Sequence, residues 1–192
     1  RQLKNHKREK NKNLITKDYS KEFESSLPYN LTNAQKRAVS DCVRDMMNKE
    51  ITLNRLVQGD VGSGKTAVAA SVSYSAIKNG MQVAFMAPTE LLAEQHYNTF
   101  KELFSNTNIS VGLLTGKLKQ SEKNKVRKSL ETGEIHIVIG THALITENTV
   151  FNNLGLVITD EQHRFGVAQR AKLLSKGNNP HLLVMSATPI PR

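Results

Sequence analysis

The sequence predicts an α/β fold with a mainly parallel β-sheet and helices on both faces of the sheet. Short apolar runs alternate along the chain with segments whose apolar residues recur at helical spacing, and a glycine-rich turn directly follows the first of these runs. Strands that are apolar throughout are typical of parallel sheets, because the crossover helices cover both faces. We therefore expect a single layered domain, with any ligand bound beyond the carboxyl ends of the strands.

A helix is predicted to open the compact domain. Thr32 is a suitable N-cap, and apolar residues follow it at helical spacing: Ala38, Val39, Cys42, Val43 and Met46. Cys42 is the only cysteine, so an internal disulfide is excluded. Its place on the apolar side of the helix predicts a buried, reduced thiol.

Six strands and four more helices are predicted after this first helix. The apolar runs that we interpret as strands cover residues 56–57, 83–86, 111–114, 135–139, 156–158 and 182–185. The helical patterns between them cover residues 67–78, 91–104, 121–130 and 167–174. Each strand–helix–strand connection should be right-handed.

Length and composition predict one domain with an appendage. Residues 1–27 are polar and weakly periodic, and we interpret them as a linker or the tail of a preceding domain, with the compact domain at residues 28–192. The 38% hydrophobic content contains no apolar run long enough for a membrane span. The chain starts without an export signal, so we expect a cytoplasmic protein.

Positive charge is concentrated in two stretches. Residues 1–12 and residues 117–128 each hold six basic side chains and one acidic side chain, and together they account for the net charge of +10. Clustered positive charge is typical of proteins that bind nucleic acids, but solvated surface segments have the same composition. Charge alone leaves both interpretations open for each stretch.

The glycine-rich turn has the chemistry of a nucleotide site. It fits the pattern G-x-x-x-x-G-K-[ST] at every defined position, in the order Gly59, Asp60, Val61, Gly62, Ser63, Gly64, Lys65 and Thr66. The glycines allow backbone N–H groups to surround a phosphate, and the helix that follows directs its positive end towards it. Lys65 should reach the β- and γ-phosphates, and Thr66 should place its hydroxyl on Mg²⁺. These residues predict binding of ATP with Mg²⁺.

An acidic pair at the end of a later strand completes this site. Asp160 and Glu161 directly follow the predicted strand 156–158 and Thr159. We expect Asp160 to hold the magnesium ion and Glu161 to deprotonate the attacking water.

Several motifs of the chain together resemble the ordered motifs of superfamily 2 helicases. They are Asp160-Glu161-Gln162-His163, Ser186-Ala187-Thr188, the run 87–92 and Gly140-Thr141-His142. From about residue 27 onward the chain resembles, more narrowly, the first motor domain of the RecG family of bacterial DNA helicases. The resemblance implies a RecA-like fold, that of a P-loop NTPase.

The resemblance also implies roles for individual residues. Thr32 and Gln35 would read adenine, although a helix cap with a surface glutamine explains the same pair. His163 would act with the catalytic residues Lys65, Asp160 and Glu161, and Ser186 and Thr188 would couple hydrolysis to DNA movement. The implied DNA contacts are Pro88, Thr89, Glu90, Thr115, Gly116, Thr141 and His142. The role of residues 164–166 stays unassigned.

The implied activity is ATP-dependent translocation on duplex DNA with remodelling of forks and Holliday junctions during recombination and repair. The expected partners are branched DNA, a second RecA-like domain and an N-terminal wedge domain, both of which would lie outside this chain. A chain that lacks them should hydrolyse ATP poorly, since the second domain supplies an arginine finger. We expect a monomer. Alternatives are the translocase module of a transcription-repair coupling factor, a non-helicase P-loop ATPase and a non-catalytic nucleic-acid-binding module.

Overall fold

The architecture was obtained from a computed structural model that describes residues 10–58, 64–160 and 167–186. The helices and strands alternate as the sequence predicts. In chain order they are α1 (Ser20–Glu24), α2 (Asn33–Met46), β1 (Asn54–Gln58), α3 (Gly64–Lys78), β2 (Gln82–Met86), α4 (Glu90–Leu103), β3 (Val111–Leu114), α5 (Gln120–Thr132), β4 (Ile137–Gly140), β5 (Leu154–Asp160), α6 (Val167–Leu174) and β6 (His181–Ser186). A short 3₁₀ helix, His142–Ile145, follows β4.

The described strands form one six-stranded sheet in the order β1-β6-β5-β2-β4-β3, with every neighbouring pair parallel. The predicted fold class is therefore confirmed. Because all strands run the same way, their carboxyl ends lie at one edge of the sheet. At this edge Gln58 is in register with Ser186, and Asp160 is in register with Met185.

The central strands are apolar throughout because both faces of the sheet are covered. Side chains of a strand point alternately to the two faces. On β2, Val83 and Phe85 join the core beneath α2, α3 and α4, whereas Ala84 and Met86 join the core beneath α5 and α6. This alternation explains why the sequence shows continuous apolar runs.

Helix α3 is buried along almost its whole length. Every residue from Thr66 to Ile77 is buried, and most of these side chains are small. Small side chains allow the helix to lie close to the sheet and leave room for α1 and α2 to pack on its outer side. The helix that follows the phosphate loop is thus held on all sides by the fold.

Part of the predicted linker belongs to the packed body of the domain. Ile15 and Phe23 are buried among core residues, and the Ile15 amide donates to the Met46 carbonyl at 3.1 Å. Asn13 Nδ2 donates to the carbonyl of Asn178 at 2.8 Å. The boundary drawn near residue 27 therefore falls inside the described body, because a few widely spaced anchors are enough to bury a segment whose other residues are polar. Residues 1–9 lie outside the described residues.

Cys42 is buried on the inner side of α2, as predicted. Burial raises the pKa of its thiol from 9.0 to about 12, because the thiolate would lose its hydration. None of the helices in the described part of the chain combines the length and the apolar character needed to cross a bilayer.

Candidate nucleotide and DNA site

Three adjacent strands have predicted nucleotide-site residues at or directly after their carboxyl ends. Strand β1 leads into the phosphate loop, β6 ends at Ser186 and β5 ends at Asp160. Only β6 separates β1 from β5, so with strands about 4.8 Å apart the two strand ends are about 10 Å apart. The sequence-based expectation that the glycine-rich turn and the acidic pair meet at one rim agrees with this topology.

Several predicted site residues lie outside the described ranges. These are Gly59, Asp60, Val61, Gly62, Ser63, Glu161, His163 and Thr188. Their roles stay predictions. The described members begin at Gly64, the first residue of α3, and continue with a partly buried Lys65 and a buried Thr66.

Gln35 links the start of α2 to the end of the phosphate loop. Its side-chain oxygen accepts from the Thr32 amide at 2.8 Å, while the Thr32 hydroxyl accepts from the Gln35 amide at 3.1 Å. This reciprocal capping box is the structural alternative that the sequence left open. Gln35 Nε2 also donates to the Gly64 carbonyl at 3.1 Å, so the same amide lies against the nucleotide segment. The two interpretations are compatible, since the capping box holds Gln35 beside the loop.

Asp160 is a buried carboxylate in which one oxygen has a hydrogen-bond partner among the described residues and the other has none. The side chain is 1% exposed, and its Oδ2 accepts a hydrogen bond from His96 Nε2 at 2.7 Å. Its Oδ1 is buried and receives no hydrogen bond from the described part of the chain. A buried carboxylate oxygen without a partner is costly unless a donor or a cation is present. Asp160 therefore suits a site for Mg²⁺ or its bound water.

His96 was not assigned by the sequence analysis. It lies on α4 between Ala93 and Phe100, which are both fully buried, so helical spacing turns it towards the sheet. The sequence did contain a signal for a functional role, because His96 is a polar, titratable side chain on the apolar side of a helix.

The predicted DNA segments follow the other three strands. Residues 88–90 follow β2, residues 141–142 follow β4 and residues 115–116 follow β3, and these strands are adjacent in the sheet. By these predictions the carboxyl edge divides into a nucleotide half, formed by the ends of β1, β6 and β5, and a second half formed by the ends of β2, β4 and β3. The second half is called the DNA half below, after its predicted ligand.

The residues of the DNA half differ in accessibility. Thr89, Gly116 and His142 are exposed, and Pro88 and Glu90 are half-buried. Thr115 is 1% exposed, and Thr141 is also buried. The Thr89 hydroxyl accepts from the Leu92 amide at 3.2 Å and caps α4. In this conformation the side chains of Thr115 and Thr141 are therefore covered, and Thr89 and His142 are the better placed for a ligand.

Comparison with known proteins identifies the family. The model of the DEAD/DEAH box helicase family matches residues 32–192 of this chain. The chain belongs to the DEAD/DEAH box helicase family. Within this family it is 54% identical to the ATP-dependent DNA helicase RecG of Aquifex aeolicus (strain VF5) over 86% of this chain and 21% of that protein. It is also 54% identical to the RecG helicase of Bacillus subtilis (strain 168), over 88% of this chain and 25% of that protein.

A solved structure gives the same result for this helicase domain. A RecG protein bound to a three-way DNA junction superposes with a TM-score of 0.79 and 52% identity, over 92% of this chain and 24% of that chain. The UvsW helicase of bacteriophage T4, with a TM-score of 0.62 and 17% identity, shares the fold. The resemblance to RecG helicases is thus confirmed, and the chain spans about a quarter of the length of these relatives.

The basic segment of this helicase domain borders the DNA half. Most of residues 117–128 form the start of α5, which follows β3, and their lysines are mostly exposed. Lys117 lies 3.9 Å from Glu94 of α4, an exposed pair that contributes little to stability.

A groove on the described surface lies away from these strand ends. It is lined by the amino-terminal ends of β1 and β6 and by the α6–β6 loop, including Asn54, Leu174 and Pro180. This is the opposite edge of the sheet from the strand ends that carry the predicted chemistry.

Proposed function

We propose that this chain is the ATP-binding motor domain of a RecG-like DNA helicase. Within a longer cytoplasmic bacterial protein, it would couple ATP hydrolysis to translocation on duplex DNA and to the remodelling of forks and Holliday junctions. The observation that carries the proposal is the parallel sheet, which brings the strand ends before the predicted nucleotide residues and those before the predicted DNA residues to one edge. The names of the relatives, and the junction bound by one of them, support the choice of ATP and branched DNA.

The residues of the nucleotide half have distinct tasks in this mechanism. Lys65 stabilises the negative charge of the β- and γ-phosphates, and Asp160 and Thr66 are the residues that would hold Mg²⁺. The metal supplies charge neutralisation on the phosphates during transfer. Glu161 is the proposed general base for the attacking water, and His163, Ser186 and Thr188 would relay the state of this site to the DNA half.

The DNA half positions the strand without reading its sequence. Hydroxyls and backbone N–H groups at the starts of helices suit phosphate contacts. Thr89 at the start of α4 and His142 at the start of the 3₁₀ helix are exposed for this purpose. We propose that the exposed lysines of α5 add an electrostatic attraction that weakens as salt rises.

The proposal is tested by ATP hydrolysis of the full-length protein with and without forked DNA. Lys65→Ala should lower DNA-stimulated turnover by at least about 100-fold, as loss of a charge-stabilising group does. Lys78→Ala is the matched control, because the same helix carries this exposed lysine at its other end. His142→Ala should raise the DNA concentration needed for half-maximal stimulation and leave turnover without DNA unchanged. DNA-stimulated turnover that survives Lys65→Ala would refute the proposed function.

A further inference from the structure

A side-chain hydrogen bond crosses between the two halves of the sheet edge, in addition to the backbone pairing of β5 with β2. Strands β5 and β2 are neighbours at the boundary, with Thr159 in register with Met86. Asp160 ends β5 on the nucleotide side, and His96 belongs to α4, which follows β2 on the DNA side. The 2.7 Å bond between His96 Nε2 and Asp160 Oδ2 therefore crosses from one half to the other.

The imidazole of His96 is held in place by its surroundings. Its ring packs on the Phe85 ring with centroids 4.6 Å apart, and Phe85 in turn meets Phe100 edge-on at 5.3 Å. Both phenylalanines are fully buried. A ring that packs on a fully buried strand residue, itself held by Phe100, has little freedom to turn away, so Nε2 stays directed at Asp160.

This bond fixes the orientation of the Asp160 carboxylate. A carboxylate rotates about its Cβ–Cγ bond unless something holds one of its oxygens. His96 holds Oδ2, and the direction of the buried Oδ1, which has no hydrogen-bond partner among the described residues, is then set by the planar geometry of the group. An oriented acceptor holds a cation or its bound water better than a rotating one does, because the orientation need not be fixed at the moment of binding.

We propose that His96 is a positioning residue for the metal carboxylate Asp160, supplied by the helix that begins in the DNA half. The inference rests on the proposed function, since it takes Asp160 as the residue that meets Mg²⁺. His96 touches neither nucleotide nor metal in this scheme. It acts through Asp160, and its side chain gives the helix that starts at Thr89 and Glu90 a direct contact with the nucleotide half.

Three substitutions at this position separate the hydrogen bond from the packing of the ring. His96→Gln keeps a donor that is the same number of bonds from the backbone as Nε2. His96→Asn has the same amide one carbon shorter, so it falls short of Asp160. His96→Phe keeps a ring against Phe85 and has no donor. Asn98→Ala, at an exposed position of the same helix, is the control for changes in α4.

The measurement is binding of a fluorescent ADP analogue to the full-length protein, once in EDTA and once with Mg²⁺. The ratio of the two dissociation constants gives the contribution of the metal. We expect His96→Asn and His96→Phe to lower this ratio by about 10-fold, the usual effect of removing a group that orients a metal ligand. Binding in EDTA should change less than about two-fold, which also shows that the variants are folded. His96→Gln should restore most of the ratio.

Asp160→Asn separates failure of this inference from failure of the proposed function. If Asp160→Asn leaves the metal contribution intact, Asp160 is not a metal residue and the proposed function itself is wrong. If Asp160→Asn abolishes the contribution while His96→Phe and His96→Asn retain the wild-type ratio, only the positioning role is refuted. Loss of the ratio in His96→Gln to the same extent as in His96→Phe would also refute it, because the ring rather than the hydrogen bond would then be responsible.

Discussion

Replacing Phe23 tests whether the amino-terminal segment belongs to the folded domain. Phe23 lies on α1, in the part of the chain whose sequence predicts a linker, yet its side chain is 0% exposed. Its ring lies 5.3 Å from the ring centroid of Tyr74 and 5.3 Å from that of Phe104. Tyr74 also donates a hydrogen bond to Glu22, the residue before Phe23. Phe23→Ala would empty a ring-sized volume between α1, α3 and the end of α4.

The expected cost follows from this complete burial. Truncation of a buried phenylalanine to alanine costs about 3–5 kcal/mol, from lost transfer energy and the cavity that remains. The two aromatic contacts place Phe23 at the upper part of that range, since such pairs add about 0.5–1.5 kcal/mol beyond their buried area. A domain of this size has a total stability of about 5–15 kcal/mol. At about 4–5 kcal/mol, the substitution should lower the melting temperature by roughly 8–20 °C.

Urea unfolding followed by circular dichroism measures the effect on the 192-residue chain. Tyr29→Ala is the matched aromatic control, because Tyr29 is 42% exposed, and it should change the stability by less than about 0.5 kcal/mol. Phe23→Leu should fall between the two, since it keeps most of the apolar volume. If Phe23→Ala costs no more than Tyr29→Ala, the segment is a linker and the packing described above is wrong.

Two further predictions concern stability. The first is a loss of stability as pH falls from about 6.5 towards 5. The Nδ1 of His181 accepts from the Leu53 amide at 2.9 Å and its Nε2 donates to the Asn13 carbonyl at 2.7 Å, and burial lowers the pKa of this imidazole. Below the ordinary pKa of 6.5, the unfolded chain therefore takes up a proton that the folded chain does not, which favours the unfolded state. Urea midpoints across this range should fall less steeply in His181→Gln, and an unchanged slope would contradict the assignment. The second is a cost of about 1–3 kcal/mol for Gly140→Ala, because a Cβ there would overlap the Leu114 carbonyl oxygen of the adjacent strand. Gly116→Ala, whose Cβ would meet only the flexible end of Glu90, should be nearly neutral in the same unfolding assay, and equal costs would exclude the overlap as the cause.

Most elements of the fold could be predicted because their signals are local, whereas α1 lies in the segment that the sequence predicted to be a linker. Each strand is a short apolar run and each helix has its own period, so both are visible within about ten residues. The same holds for Gly64, Lys65 and Thr66, where the residue types required by a phosphate are contiguous. Parallel strands then place Asp160 at the same edge as the phosphate loop without further information, since all their carboxyl ends coincide.

The sequence by itself determined the fold class and the family, and it predicted the nucleotide chemistry. Tertiary structure alone decided the strand order, the pairing of His96 with Asp160 and the inclusion of Ile15 and Phe23 in the core. His96 and Asp160 are 64 positions apart, and no spacing rule relates them. The physical reason is that a local pattern indicates only which hydrogen-bonded backbone conformation a segment adopts and which of its faces is apolar. Which partner that face meets depends on how all the helices pack on one sheet.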